Sequence, residues 1–357
     1  LIAFINRIGT ATPAHDIHAA FVAFASAGLP AGRTRTVFDR MAARSGIAHR
    51  YSHLSPGDLA AGEVDAEGFY RRGQFPGTAA RMAAYAPHAL ALAQVAIARL
   101  APDLHRITHL IVASCTGFTA PGLDLQLVAA LGLRPDVART IIGFMGCAAA
   151  VPALRAADQA VRANPTSRVL VINLELCSLH LQESADAESA LALLLFGDGC
   201  SAALVTAEPT GIALQAFQTV ILPDSAGLIT WTIGDHGFLM HLSGQVPGRI
   251  AAALRASLPP APAAMLTLPP PAEIALWAVH GGGRTVLDAV QIGLDLPPAA
   301  LQHARAVLRD CGNMSSATIM FTLARMLAAG GTGPGLAMAF GPGMVAETFR
   351  FHLGAAP

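Results

Sequence analysis

Apolar residues along this chain come in runs of two kinds. Short runs of strand length recur at 108–114, 168–174, 201–206, 274–279 and 335–340. Longer stretches, with apolar residues returning every three or four positions, lie at 79–100, 147–161 and 315–329. Short continuous runs suit strands buried on both faces and the longer spacing suits helices, so the alternation predicts an α/β architecture. In the second helical stretch Val151, Leu154 and Val161 share one face with small alanines between them, as in a helix buried against its neighbours. The segment 257–271, rich in proline and poor in charge, predicts a surface connection. The most apolar stretch, 190–205, is cut by Phe196-Gly197-Asp198-Gly199, which reads as a turn. No unbroken apolar run reaches the roughly 18 residues of a membrane span, so none is expected.

Composition narrows this picture. A chain of 357 residues, 53% hydrophobic and 13% charged, has material for a large core, arranged as two domains or one duplicated one. Its mean hydropathy of +0.50 comes largely from alanine. With 23 basic and 23 acidic residues the net charge is zero, which argues against nucleic acid as a partner. The five cysteines (115, 147, 177, 200 and 311) form no CxxC pair. An odd set without that spacing argues against a disulfide framework or a metal site and suits the reducing cytoplasm. Residues 1–13 lack the charged flank and cleavage pattern of a secretion signal.

Three short segments carry candidate chemistry. Cys147 follows Gly146 and precedes three alanines at the start of a predicted helix. A cysteine at a helix N-terminus feels the positive end of the helix dipole, which favours the thiolate. His280 ends a strand-like run and is followed by Gly281-Gly282-Gly283, the edge at which α/β folds place functional groups. Asn313 stands in Gly312-Asn313-Met314-Ser315-Ser316, ahead of an apolar helix. Each has a bland reading: a buried cysteine, a histidine capping a strand, a helix N-cap. Together they supply a thiolate nucleophile, an imidazole partner and an amide donor, a set that can load an acyl group and stabilise an oxyanion. The same set describes a papain-like cysteine hydrolase, although Cys147 lacks that motif and lies mid-chain.

The three sites resemble the Cys-His-Asn triad of the chalcone synthase-like, type III polyketide synthase family. GNMSSA at 312–317, HGGGRTVLD at 280–288 and FGPG at 340–343 stand in the family's order. Residues 108–127, LFGDG at 195–199 and PDSAG at 223–227 extend the likeness to roughly residues 5–352. The resemblance implies the five-layered αβαβα thiolase-like fold in two pseudo-duplicated halves. Residues 1–212 would carry the nucleophile, and residues 213–357 the histidine and asparagine. It further implies a homodimer, an acyl-CoA starter and malonyl-CoA as substrates, and no metal or redox cofactor. Cys147 would carry the acyl chain as a thiolate paired with His280. His280 and Asn313 would hold the malonyl thioester, and Phe196 would guard the cavity.

The pocket departs from the plant members of that family. Met240 stands at a second gatekeeper position and Trp231 where the plant enzymes have glycine. Cys115, Cys177 and His180 replace threonines, Ala120 replaces a methionine that reaches across the dimer, and Ser315 lies in the asparagine motif. Small Ala120 and flexible Met240 leave room for an aliphatic tail, whereas Trp231 and His180 shorten the cyclisation cavity. The expected products are alkylpyrones or alkylresorcinols from medium or long acyl starters. For CoA, Arg40 and Arg44 lie one helical turn apart and suit its phosphates, with Gly282 and Thr285 along the pantetheine arm. A condensing enzyme of the ketoacyl carrier-protein synthase III type, taking malonyl from a carrier protein, is the alternative within the same fold.

Overall fold

The strand-length runs all become strands of one nine-stranded sheet in a computed structural model, which describes residues 1–58, 61, 63–184, 186–258 and 266–354. The first half of the chain runs β1 (Phe4–Ala11), β2 (His15–Asp16), α1 (His18–Gly28), α2 (Arg33–Ala43), β3 (Tyr51–Ser52), α3 (Thr78–Leu100), β4 (His109–Ser114), α4 (Leu123–Leu131), β5 (Ala138–Gly143), α5 (Ala150–Ala163), β6 (Val169–Leu176), α6 (Ala187–Leu194) and β7 (Asp198–Thr206). The second half runs β8 (Ile212–Ile221), β9 (Ile229–Gly234), β10 (Gly237–Leu242), α7 (Val246–Ala256), β11 (Leu276–Val279), α8 (Arg284–Gly293), α9 (Gln302–Cys311), α10 (Ala317–Ala328), β12 (Gly333–Gly341) and β13 (Val345–Leu353).

Strand order across the sheet is β11-β12-β13-β8-β1-β7-β6-β4-β5. Outward from the β8/β1 joint the two sides repeat one pattern: two antiparallel pairings, then a parallel one. The joint itself is only two residue pairs wide, Phe4 with Ala213 and Ile5 with Ile212. Helices α5 and α10 lie between the half-sheets in one shared apolar cluster. Helices α3 and α4 cover the outer face of the first half-sheet, and α7, α8 and α9 that of the second. The result is helix, sheet, helix, sheet, helix.

Sequence and packing explain these placements. All eight residues of β6 are buried, Asn173 and Glu175 among the apolar ones, as in a strand covered on both faces. Along α5 the buried positions are Ala150, Val151, Ala153, Leu154, Ala157, Asp158 and Val161, so the alanines form part of the contact rather than spacing it. Three details differ from the sequence reading. The stretch 196–199 is no turn: Asp198 and Gly199 open β7, and Phe196 makes a one-residue bridge to Asn313. The helix expected from 147 begins at Ala150, with Cys147 in a 3-10 turn just before it. In the segment 257–271, residues 259–265 lie outside the described residues, while Leu266 and Leu268 are buried in the core of the second half. Among the described residues no helix is long and apolar enough to cross a membrane.

Candidate active site

Three glycine-marked turns bring the reactive side chains together. Gly146, at φ +59°, turns the chain into Cys147, and a Cβ there would meet the Pro342 ring at 2.4 Å. The 340–343 segment therefore presses directly on the cysteine turn. His280 follows β11, its backbone N–H donating to the Met338 carbonyl at 2.8 Å. Asn313 follows Gly312, at φ +69°, whose missing side chain makes room for the buried Arg50.

The Asn313 amide is oriented by its neighbours. Its Oδ1 accepts the Ser315 backbone N–H at 2.8 Å, which leaves Nδ2 to donate to the Gly282 carbonyl at 3.1 Å. Both ends of the amide lie 4.0 Å from Cys147 Sγ. His280 is 2% exposed, and neither ring nitrogen has a hydrogen-bond partner among the described residues. Such a group, buried and unsatisfied, stands out in a native core.

Burial disfavours charge on both Cys147 and His280. Burial raises the Cys147 thiol to about 11, helped by the Glu175 carboxylate and opposed by hydrogen bonds from Ser315 and Asn313. Burial lowers His280 to about 4. Burial works against the thiolate–imidazolium pair expected from sequence. The physical reason is desolvation of both groups, which outweighs the helix N-terminus beginning only at Ala150.

Around this triad lies a cavity of about 1260 Å³, part of it continuous with solvent. Of the candidates from sequence, Phe196, Met240, Trp231, Cys115, Cys177, His180, Ser315 and Gly282 line it with the triad. Trp231 Nε1 donates to the Cys115 carbonyl at 2.8 Å, which locks the indole across one side. His180 is fully buried, with Nε2 against the Thr116 carbonyl at 2.7 Å and Nδ1 accepting the Phe238 N–H at 2.9 Å. It stacks on Phe238 at 4.2 Å between ring centres, and burial holds it neutral, near 4. Cys115 Sγ accepts the Gly146 N–H at 3.0 Å, and burial raises its thiol well above the ordinary value.

Four candidates lie off the cavity. Ala120 is exposed and precedes a cis bond to Pro121, so it frees no space inside this chain. Arg40, Arg44 and Thr285 are exposed outside it. The Arg284 guanidinium donates to the Arg44 carbonyl at 3.1 Å, which ties this basic turn to the start of α8, next to Gly282.

The sequence reading missed several residues of the site. Glu175 is wholly buried and accepts from Cys115 N–H (2.9 Å), Thr116 Oγ1 (3.0 Å) and Ser316 Oγ (2.6 Å). Burial raises it to about 7 against those bonds. A carboxylate inside a largely apolar strand was the available signal. Arg50, 2% exposed, donates Nη1 to the carbonyls of Phe196 (2.8 Å) and Leu193 (3.2 Å). It thereby braces the Phe196 segment, to which Asn313 is joined through Asn313 N–H to Leu195 O and Gly197 N–H to Asn313 O. Among the described residues no three His, Cys, Asp or Glu side chains converge to hold a metal ion.

Comparison with known proteins adds an independent line. The family model "Chalcone and stilbene synthases, N-terminal domain" matches residues 2–209, and its C-terminal counterpart matches residues 213–353. An α-pyrone synthesis polyketide synthase-like protein of Mycobacterium tuberculosis is 32% identical over 290 residues, covering 76% of this chain and 73% of that protein. Among solved structures, a polyketide synthase of the brown alga Ectocarpus siliculosus superposes with a TM-score of 0.86 at 29% identity, over 99% of this chain and 98% of its own. The 1,3,6,8-tetrahydroxynaphthalene synthase of Streptomyces coelicolor, a bacterial type III polyketide synthase, gives 0.85 at 25% identity, over 99% of this chain and 100% of its own.

Proposed function

The chain belongs to the chalcone and stilbene synthase family, the type III polyketide synthases, and from that premise we propose that Cys147 carries the acyl chain while His280 and Asn313 hold the malonyl thioester. The enzyme is an acyltransferase of thiolase-like fold that works by decarboxylative condensation on CoA thioesters. This sets aside the hydrolase reading. What carries the residue roles is the convergence of the three side chains on one cavity, with the oriented Asn313 amide 4.0 Å from the sulfur.

Because burial disfavours charge on both thiol and imidazole, we read loading as a proton transfer. His280, its ring nitrogens unengaged, takes the Cys147 proton as sulfur attacks the acyl-CoA carbonyl. The bond from carbonyl carbon to CoA sulfur breaks, and the CoA thiolate leaves with that proton. Malonyl-CoA then loses CO2, and the electron pair passes to an enolate whose charge rests on the thioester oxygen. His280 N–H and Asn313 Nδ2–H donate to that oxygen, and removing one such donor costs about 2.7–4 kcal/mol of barrier. The enolate carbon attacks the acyl carbonyl, a carbon–carbon bond forms, and Cys147 departs ready to take the extended chain. Phe196 stands beside Asn313 as gatekeeper, with Met240 opposite on β10.

For the finer points, we read Arg40 and Arg44 as the holders of CoA phosphates, with Gly282 and Thr285 along the pantetheine. The starter is a medium or long acyl-CoA and the product an alkylpyrone or alkylresorcinol. An apolar cavity wall and a relative named for α-pyrone synthesis support this. Residues 1–212 and 213–357 form the two duplicated halves, a reading supported by the mirrored strand order. A homodimer is supported by exposed Phe118, Leu125, Ile141 and Met145 around the edge strand β5. Five free thiols suit the cytoplasm. The test is intact mass after mixing with acyl-CoA: a single acyl adduct on Cys147, absent in Cys147→Ala, is expected. Wild-type loading in Cys147→Ala would refute the assignment.

A further inference from the structure

Helix α2 carries a surface that the condensation leaves unused. Its inner side, Phe38 and Ala42, is buried in the apolar cluster shared with α1 and α6. Arg33, Val37, Arg40, Met41 and Arg44 recur every three or four positions and so share the opposite face, with Arg44 at the helix C-cap. All five are exposed, Val37 to 40% and Met41 to 49%. Among the described residues none of these three arginines is in an ion pair, and Asp288 and Asp310 of the adjoining α8 and α9 are held by other arginines. Residues 33–44 hold four arginines against one aspartate, Asp39, a local excess of positive charge in a chain that balances overall.

A CoA molecule does not account for this face. Arg33 and Arg44 lie about 16 Å apart along the helix axis. Phosphates held at Arg40 and Arg44 leave Arg33, Val37 and Met41 without a role. Cations interleaved with exposed apolar side chains suit a protein contact, where arginine and methionine are enriched. Two apolar side chains are too few to insert into a bilayer, because the other apolar side of α2 is buried inward. The stripe ends near the cavity: the Arg44 carbonyl accepts from the guanidinium of Arg284, two residues past the cavity-lining Gly282. A macromolecule seated on α2 therefore has a thioester arm beside the path assigned to pantetheine.

We propose that the exposed face of α2 docks an acidic carrier protein, which delivers the starter as a thioester on its own phosphopantetheine arm. Carboxylates of the carrier pair with Arg33, Arg40 and Arg44, and its surface covers Val37 and Met41. This rests on Cys147 being the loading site. In the transfer the bond from acyl carbon to carrier sulfur breaks and the bond to Cys147 Sγ forms. The thiol proton passes by way of His280 to the departing sulfur. CoA and the carrier share the pantetheine, so the two donors take one path to Cys147 and differ in what they touch on α2.

The test compares octanoyl-CoA with the octanoyl thioester of a bacterial acyl carrier protein, following the rate and site of loading by intact mass and peptide mapping. Wild-type protein is expected to acquire the acyl group on Cys147 from both. Arg33→Glu suits the first turn of a helix, and Val37→Glu changes only an exposed position. In each, loading from the carrier is expected to slow roughly tenfold, with loading from octanoyl-CoA within about twofold of wild type. Normal loading from CoA with none from the carrier overturns the docking surface and leaves Cys147 standing. Carrier loading unchanged in both variants does the same. No adduct on Cys147 from either donor overturns the loading reading, and the docking surface with it. Should Arg33→Glu instead lose sedimentation with phosphatidylglycerol vesicles, or change its elution volume, while carrier loading stays unaltered, the face belongs to a lipid surface or a second copy of this chain and the proposal is rejected.

Discussion

Burial raises the Cys147 thiol to about 11 and lowers the His280 imidazole to about 4, so it disfavours a thiolate in the free enzyme. Alkylation of free enzyme by iodoacetamide at Cys147 is therefore expected to rise about tenfold per pH unit from pH 7 to pH 10, since thiolate is the reacting form. A plateau already reached at pH 7 would show instead a standing thiolate–imidazolium pair. Glu175 enters the same balance, because its charge disfavours the thiolate. Glu175→Gln is expected to speed alkylation severalfold at pH 8.5. It also places an amide against three hydrogen-bond donors, so it lowers Tm. Faster alkylation is the informative half, since a purely structural role would leave the pH profile where it was.

Cys147, His280 and Asn313 could be read in the sequence because each sits in a turn that glycine marks. The elements around them were less legible. The cavity wall beside α1 draws on Phe21, Leu54, Val64, Tyr70 and Leu181, which share no motif and meet through packing. Arg50 looked like one basic residue among several until its guanidinium was found under the Phe196 carbonyl. His180 and Trp231 both line the cavity, but nothing in their spacing showed that hydrogen bonds fix both. The hairpin carries its own test. Trp231→Ala removes the fixed wall, so products are expected to gain one or more two-carbon units, read by mass. An identical product mass would show that this wall does not limit extension.

The fold as a whole stores ionisation penalties of both signs. His180 and His280 are each held near 4 against 6.5 in an unfolded chain, so the unfolded state binds more protons between those values. Their contribution is fully present above about pH 6.5 and is lost as pH falls toward 4, on the order of 3 kcal/mol for each. Glu175, raised to about 7 from 4.5, acts the other way: its penalty is greatest above pH 7 and is relieved on acidification. Two imidazoles outweigh one carboxyl, so Tm is expected to fall by several degrees between pH 7 and pH 4.5. A flat profile in scanning calorimetry would contradict this. Each half contributes part of the triad, at the strand ends remote from the β8/β1 joint, where Phe4 pairs with Thr206 and Ile212 with Leu353.

The two ring nitrogens of His280, with no partner of their own, bear on how such a protein could be poisoned. Among the described residues those nitrogens have no partner, so a small uncharged molecule offering one carbonyl to the His280 N–H is expected to bind in this apolar cavity. Reversible drugs against this scaffold need neither a reactive warhead for the sulfur nor the bulk and charge of a nucleotide.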